Sequence, residues 1–149
     1  MSTVLDVINR EIVEIFDSVI RAEGICITKE KEVKLSMSEV HTISVIGVSE
    51  LKSMSEIAEK LKITVGTLTV AINNLVKKGY VERFKSEKDR RIVKVGLTKQ
   101  GKLVYYIHEK FHADLVTALT DGLSEREIDT VSTALSKLDK FVTECYSMK

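Results

Sequence analysis

The chain has 149 residues, 44% hydrophobic and 30% charged, with a formal net charge of +1, proportions of one folded domain rather than a disordered or fibrous chain. No apolar run approaches the roughly 18 residues that span a bilayer, the N-terminus carries no basic leader region, and the only cysteines, Cys26 and Cys145, are too few for a disulfide framework. A cytoplasmic protein without a membrane partner is expected, and the absence of proline favours a mostly helical fold.

Residues 3–22 place Val4, Ile8, Ile12, Ile15, Phe16, Val19 and Ile20 at helical spacing with charges between them, which predicts a long amphipathic helix. Gly24 to Leu35 reads as a polar, lysine-rich connection. Ser36-Met-Ser-Glu39, Ser53-Met-Ser-Glu56 and Ser124-Glu-Arg-Glu127 each fit a capping box, in which the Ser caps the first turn and the Glu reaches back. They predict helices over about 37–49, 54–62 and 125–145. Thr64 caps a further helix running to Lys78, with Gly79 as its stop. A short helix, a tight turn and a second helix make a helix-turn-helix, and small Ala58 allows close approach. Tyr80–Lys85 and Ile92–Leu97 are β-rich runs on either side of Ser86-Glu-Lys-Asp-Arg-Arg91, which reads as a hairpin. Thr98 then starts a helix through about Thr120, with Leu103, Ile107, Phe111, Leu115 and Leu119 along it. The last helix repeats Ile128, Val131, Leu135, Leu138 and Val142 close to a heptad. The fold class is mainly α with a small β-hairpin wing.

Charge is concentrated in one place. Residues 74–94 hold eight bases against three acids, a net of +5, which leaves −4 for the remainder. Such a patch is the footprint of a polyanion partner, or else a solvated charged hairpin. On the helix after Thr64, Leu68, Ala71, Ile72, Leu75 and Val76 share one arc. Gly66, Val70, Asn73 and Lys77 point the other way, flanked by Thr67, Thr69 and Asn74. A merely solvated face would carry charges here; this one is small and polar, which suits a major groove, where Thr meets thymine methyls and Asn pairs bidentately with adenine. Thr64, Thr67 and the free amides at the helix start suit phosphates. In the hairpin, Asp89 can orient one guanidinium of Arg90 or Arg91 while the other reaches a narrow minor groove.

The order Ser53–Leu61, Thr64–Gly79, Tyr80-Val-Glu-Arg83, Asp89-Arg90-Arg91 and Leu97-Thr98-x-x-Gly101 resembles the MarR family of bacterial regulators over nearly the whole chain. The resemblance implies a single domain over 1–149. Residues 36–101 would form a winged helix-turn-helix, and 1–35 and 102–149 the dimerisation helices. It further implies a triangular homodimer on pseudo-palindromic double-stranded DNA, with an effector site between each DNA-binding lobe and the dimer interface. Many members carry Arg where this chain has Val70, so their base preference does not transfer. Glu39-Val-His41-Thr-Ile43, Val65-Gly-Thr67, Ile72-Asn-Asn-Leu75, Ser86–Arg91, His108-x-x-x-His112 and Asp121-Gly-Leu-Ser-Glu125 are similar to the FabT-type repressors of fatty-acid synthesis. That similarity implies acyl groups on acyl carrier protein as corepressor.

His108 and His112 lie one turn apart, and His41 is placed to meet them if its helix packs alongside. Three readings stand. The imidazoles line an acyl or other effector pocket, they bind zinc with Glu39, Glu109 or Cys26 completing the set, or they are satisfied core histidines. A zinc-sensing branch of the family uses similar positions, although no dense cluster of acids or thiols surrounds the pair. No metal or other cofactor is expected. Cys26, in the connection, is read as packing, with oxidant sensing, known elsewhere in the family, as the alternative. No Ser-His-Asp order, glycine-rich phosphate loop or CxxC occurs, so an enzyme is not expected.

Overall fold

The computed structural model describes residues 3–29 and 33–147. In chain order the elements are α1 (Val4–Lys29), α2 (Met37–Ile46), β1 (Lys52–Ser53), α3 (Met54–Leu61), α4 (Val65–Lys78), β2 (Val81–Lys85), β3 (Val93–Leu97), α5 (Lys99–Thr120) and α6 (Glu125–Ser147). The chain divides into two compact units, Met1–His112 and Ala113–Lys149.

The first unit is built on the helix-turn-helix. Ile43 and Ile46 of α2, Ile57 of α3, Leu68, Ile72 and Leu75 of α4 and Val95 of β3 are each 0% exposed, each burial stabilising by about 1.5–3 kcal/mol. The apolar arc of α4 thus packs inward as its periodicity requires. Both capping boxes of this unit form, with the Glu39 and Glu56 amides donating to Ser36 and Ser53 Oγ at 3.2 Å. Thr64 caps α4 by accepting the Thr67 N–H at 3.1 Å, and Gly79 ends it at φ +85°, a left-handed conformation that glycine enters without a Cβ penalty.

The hairpin belongs to a three-stranded antiparallel sheet ordered β1-β3-β2, with Lys52 and Arg83 both opposite Val95. The sequence predicts only two strands, because a two-residue strand has no alternation to read. Strands β2 and β3 are also one residue shorter than expected, at Tyr80 and at Ile92. Helix α2 stops at Ile46 rather than near 49. Gly47 turns the chain at φ +67°, and Lys52 Nζ caps the freed Ile46 carbonyl at 2.8 Å.

Gly24 to Leu35 departs furthest from the expected polar connection. Helix α1 continues to Lys29, so Cys26 is a half-buried helical residue, not a loop residue. Buried Glu23 and Ile27 anchor this last turn and a half to the core, which overrides the polar composition. Residues 30–32 of the expected connection lie outside the described residues.

The Leu97-Thr98-x-x-Gly101 motif is the joint between wing and α5. Thr98 donates its N–H to Tyr80 O at 3.0 Å and its hydroxyl to Gly79 O at 2.6 Å, then accepts the Gly101 N–H at 3.2 Å. Gly101 is required by space, since a Cβ there would sit 2.1 Å from Tyr80 O.

The second unit comprises the end of α5 and all of α6, joined at Gly122 (φ +77°) and capped by Ser124, which accepts from the Glu127 amide at 3.4 Å while the Glu127 carboxylate accepts the Ser124 N–H at 2.8 Å. Val116, Leu119, Ile128, Val131 and Leu135 line an open groove here, and α6 has no buried residue.

Candidate nucleic-acid interface and histidine–carboxylate cluster

Helix α4 exposes the face opposite its core arc. Thr64, Gly66, Thr67, Thr69, Asn73 and Lys77 are exposed, and Val70 is 62% exposed. Two of the threonines are committed locally. The Thr64 hydroxyl donates to Thr67 Oγ1 at 2.9 Å, and the Thr69 hydroxyl to Val65 O at 2.8 Å. No acid lies in the first turn of α4. The positive end of the helix dipole therefore has no carboxylate from its own first turn beside it.

Asn73 is not a free reading group. Arg83, on β2, donates its Nη2 to Asn73 Oδ1. Sequence periodicity could not find this pair, because it depends on how the wing docks beside α4.

At the wing tip, Asp89, Arg90 and Arg91 are all exposed. The Asp89 carboxylate accepts the Arg91 backbone N–H at 3.0 Å, and Asp89 O accepts the Ile92 N–H at 3.0 Å. Asp89 thus shapes the turn that presents the arginines rather than clamping a guanidinium. A two-residue reach suits backbone capture by Asp better than side-chain pairing.

At the other end of α4, Lys78 Nζ donates to Glu39 Oε1 and Oε2 at 2.8 and 2.9 Å and to Lys34 O at 3.2 Å. Burial raises the Glu39 pKa, but the Lys78 contacts and the Ser36 N–H outweigh it and hold the carboxyl below its ordinary value. Glu39 is therefore engaged as a strut between α2 and α4, not as a ligand beside the histidines.

The three histidines do converge, yet on a carboxylate rather than an apolar cavity. Glu23, 3% exposed on α1, lies with Oε1 2.6 Å from His112 Nε2 and 3.1 Å from His108 Nε2, and with Oε2 3.4 Å from His41 Nε2. The two ring nitrogens of His108 and His112 are 3.0 Å apart. The group that meets the histidines is Glu23 rather than Glu39, Glu109 or Cys26; in sequence its segment reads as the edge of a loop.

The three contacts of this triangle cannot all be hydrogen bonds at once. Each ring nitrogen is either a donor or an acceptor, never both. If both Nε2 atoms carry protons they face each other at 3.0 Å; if either does not, its lone pair faces the carboxylate. Neutral imidazoles and a carboxylate are the donor types that can hold a divalent cation. The 3.0, 3.1 and 3.4 Å separations fall within the roughly 2.9–3.4 Å edges of a coordination shell with bonds of about 2.0–2.1 Å, and the 2.6 Å contact of His112 is shorter. Desolvation lowers the His108 pKa, only partly opposed by the Glu23 hydrogen bond, so the ring favours the neutral form that ligates metals. His108 Nδ1 is buried with no hydrogen-bond partner among the described residues, so no second group fixes its tautomer. Glu23, His41 and His108 each place a donor atom within 4.8 Å of the others.

Residues 35–93 match the MarR family model. Over 133 residues the chain is 31% identical to an uncharacterized HTH-type transcriptional regulator of Bacillus subtilis, YfiV, covering 88% of this chain and 82% of that one. Among solved structures, Streptococcus pneumoniae FabT in complex with DNA is similar at 38% identity and a TM-score of 0.83, over 92% of this chain and 96% of that one. A MarR protein from Peptoclostridium difficile is similar at 26% identity and a TM-score of 0.67, covering 93% and 92%. Likeness in sequence and in fold along almost the entire length places the chain in the MarR family, as a DNA-binding transcriptional regulator built on a winged helix.

Proposed function

We propose that the chain works as a homodimeric repressor that seats α4 in the major groove and the tip at Arg90 and Arg91 in the flanking minor groove of a pseudo-palindromic operator. The observation that carries this reading is the uncharged, exposed face of α4 at Gly66, Thr67, Thr69, Val70 and Asn73 beside an arginine-tipped hairpin. Thr64, Thr67, Lys77 and the α4 amides serve phosphates, and Asp89 shapes the wing. Dimerisation is supported by apolar side chains left in water within one chain: Val4 at 76% and Phe16 at 53% on α1, and Phe141 at 65% on α6. The role is regulatory and non-enzymatic, and a chromosomal target places it in the cytoplasm.

The regulated genes are those of fatty-acid biosynthesis, with acyl-acyl carrier protein as corepressor. Similarity to FabT at 38% identity supports this assignment. Gel-shift titration of the duplex upstream of the chain's own gene tests both levels. Salt-sensitive binding that tightens with acyl-acyl carrier protein is expected; binding without that response removes the lipid link and leaves the DNA role.

A second reading of the effector site rests on the Glu23 triangle. His41, His108, His112 and Glu23 would hold a divalent cation such as zinc, which would supply charge neutralisation inside a buried site. His41 and Glu39 lie two residues apart on α2, and Glu39 grips Lys78 of α4, so a change at the cluster has a direct mechanical path to the reading helix. Calorimetric titration with zinc tests it: stoichiometric uptake by the wild type, lost in Glu23→Gln, is expected, whereas heats unchanged by the substitution refute it.

A further inference from the structure

We infer that Arg83 sets base specificity by committing the amide of Asn73, so that this part of the interface offers hydrogen-bond donors alone and selects a base edge made of acceptors. The inference rests on the proposed seating of α4 in the major groove. A guanidinium has five N–H donors and no acceptor. The Asn73 atom facing it must therefore be Oδ1, as observed for Arg83 Nη2, so the amide orientation is fixed by chemistry, with Nδ2 as its free donor and Oδ1 shadowed by the guanidinium. Bidentate pairing with adenine needs the opposite provision: a carbonyl to accept from N6 and an amino group to donate to N7. Here the carbonyl already has a cationic donor at its side, which also repels the N6 amino hydrogens of adenine and the N4 amino hydrogens of cytosine. The Asn73 amino group and the spare Arg83 N–H groups match the N7 and O6 acceptors of guanine. Both residues are exposed, so the pair is available to a duplex. Glu82, the neighbouring acid on β2, is on the other face of the strand by alternation.

Arg83 is thus a positioning residue for Asn73, and base ranking is a readout that lost folding would not move. Operator variants carrying each base pair in turn at every half-site position would be titrated with wild type, Asn73→Ala, Arg83→Ala and Arg83→Lys. The wild type should prefer guanine where Asn73→Ala loses discrimination. At that position Arg83→Ala should shift the ranking toward adenine, since the freed amide recovers its bidentate edge. The guanine-to-adenine ratio should change by roughly 5- to 150-fold, the equivalent of one good bidentate pair. Arg83→Lys should keep part of the guanine preference. If Asn73→Ala loses discrimination but Arg83→Ala only weakens binding evenly across all variants, this inference is overturned and the seating of α4 survives. If Asn73→Ala leaves every base ranking unchanged, the seating of α4 falls as well.

Discussion

Gly101→Ala should loosen the joint that holds the wing against the rest of the fold. The new Cβ would lie 2.1 Å from Tyr80 O, 3.1 Å from Tyr80 C and 3.2 Å from Leu97 Cβ, whereas ordinary contact begins at 3.4 Å. The nearest of these is backbone, so relief requires α5 to move by about 1.3 Å from the Gly79–Tyr80 corner. That movement stretches the Thr98 bonds to Tyr80 O and Gly79 O, now 3.0 and 2.6 Å. Overpacking of this kind costs about 1–3 kcal/mol, and weakening two hydrogen bonds adds about 1 kcal/mol or more. A total of about 2–4 kcal/mol corresponds to a fall in Tm of roughly 4–16 °C for a chain of this size. Urea and thermal unfolding followed by circular dichroism would measure it. DNA affinity measured well below the new Tm should also drop, because α4 and β2 both leave this corner. An unchanged unfolding midpoint would refute the reasoning, since it would mean the corner accommodates a methyl group without strain.

Arg90→Ala and Arg91→Ala should each weaken operator binding and lower the salt slope by about 1 while sedimentation shows the dimer intact; wild-type affinity in both variants would remove the wing from the interface. Phe16→Glu and Phe141→Glu place a charge on faces 53% and 65% exposed in a single chain. Each should shift sedimentation toward monomer with helicity retained, and persistence of the dimer in both would show that these faces are not covered by a second copy. Acid should destabilise the fold through its caps. The Asp6, Glu39, Glu56 and Glu127 carboxyls are held below their ordinary values, chiefly by N–H donors at helix starts for Asp6, Glu56 and Glu127 and by Lys78 against burial for Glu39. Depressed carboxylates stabilise fully above their unfolded values, 3.8 for Asp and 4.5 for Glu, and lose that contribution as pH falls through the lower folded ones. Urea midpoints should hold steady near neutrality and decline below about pH 4.5, and a flat profile down to pH 3 would contradict the assignment.

What could be read from the sequence was what is local and periodic. Capping boxes at Ser36, Ser53 and Ser124 mark three helix starts because the signal is complete within four residues. The two sides of α4 separate cleanly because a 100° step divides Leu68, Ile72 and Leu75 from Val70 and Asn73. Glu23 was illegible for a different reason. It is one of 22 acids, beside a glycine, and its burial comes from imidazoles 18, 85 and 89 residues away. The histidines were legible as a pair at i and i+4, yet the group they meet was not. Arg83 and Asn73 likewise belong to different elements, and only the docking of β2 beside α4 joins them. Lys52–Ser53 became a strand solely because β3 offered an edge to pair with.

The central claim, that α4 and the wing together hold a duplex, is tested most directly by titrating the chain with the duplex upstream of its own gene, by fluorescence anisotropy, from 50 to 200 mM salt. Two chains per duplex are expected, with affinity falling by roughly 10³–10⁵ over that range if 6–10 phosphates are neutralised. Binding indifferent to salt, or no binding to that duplex or to random-sequence DNA at the lowest salt, would contradict it.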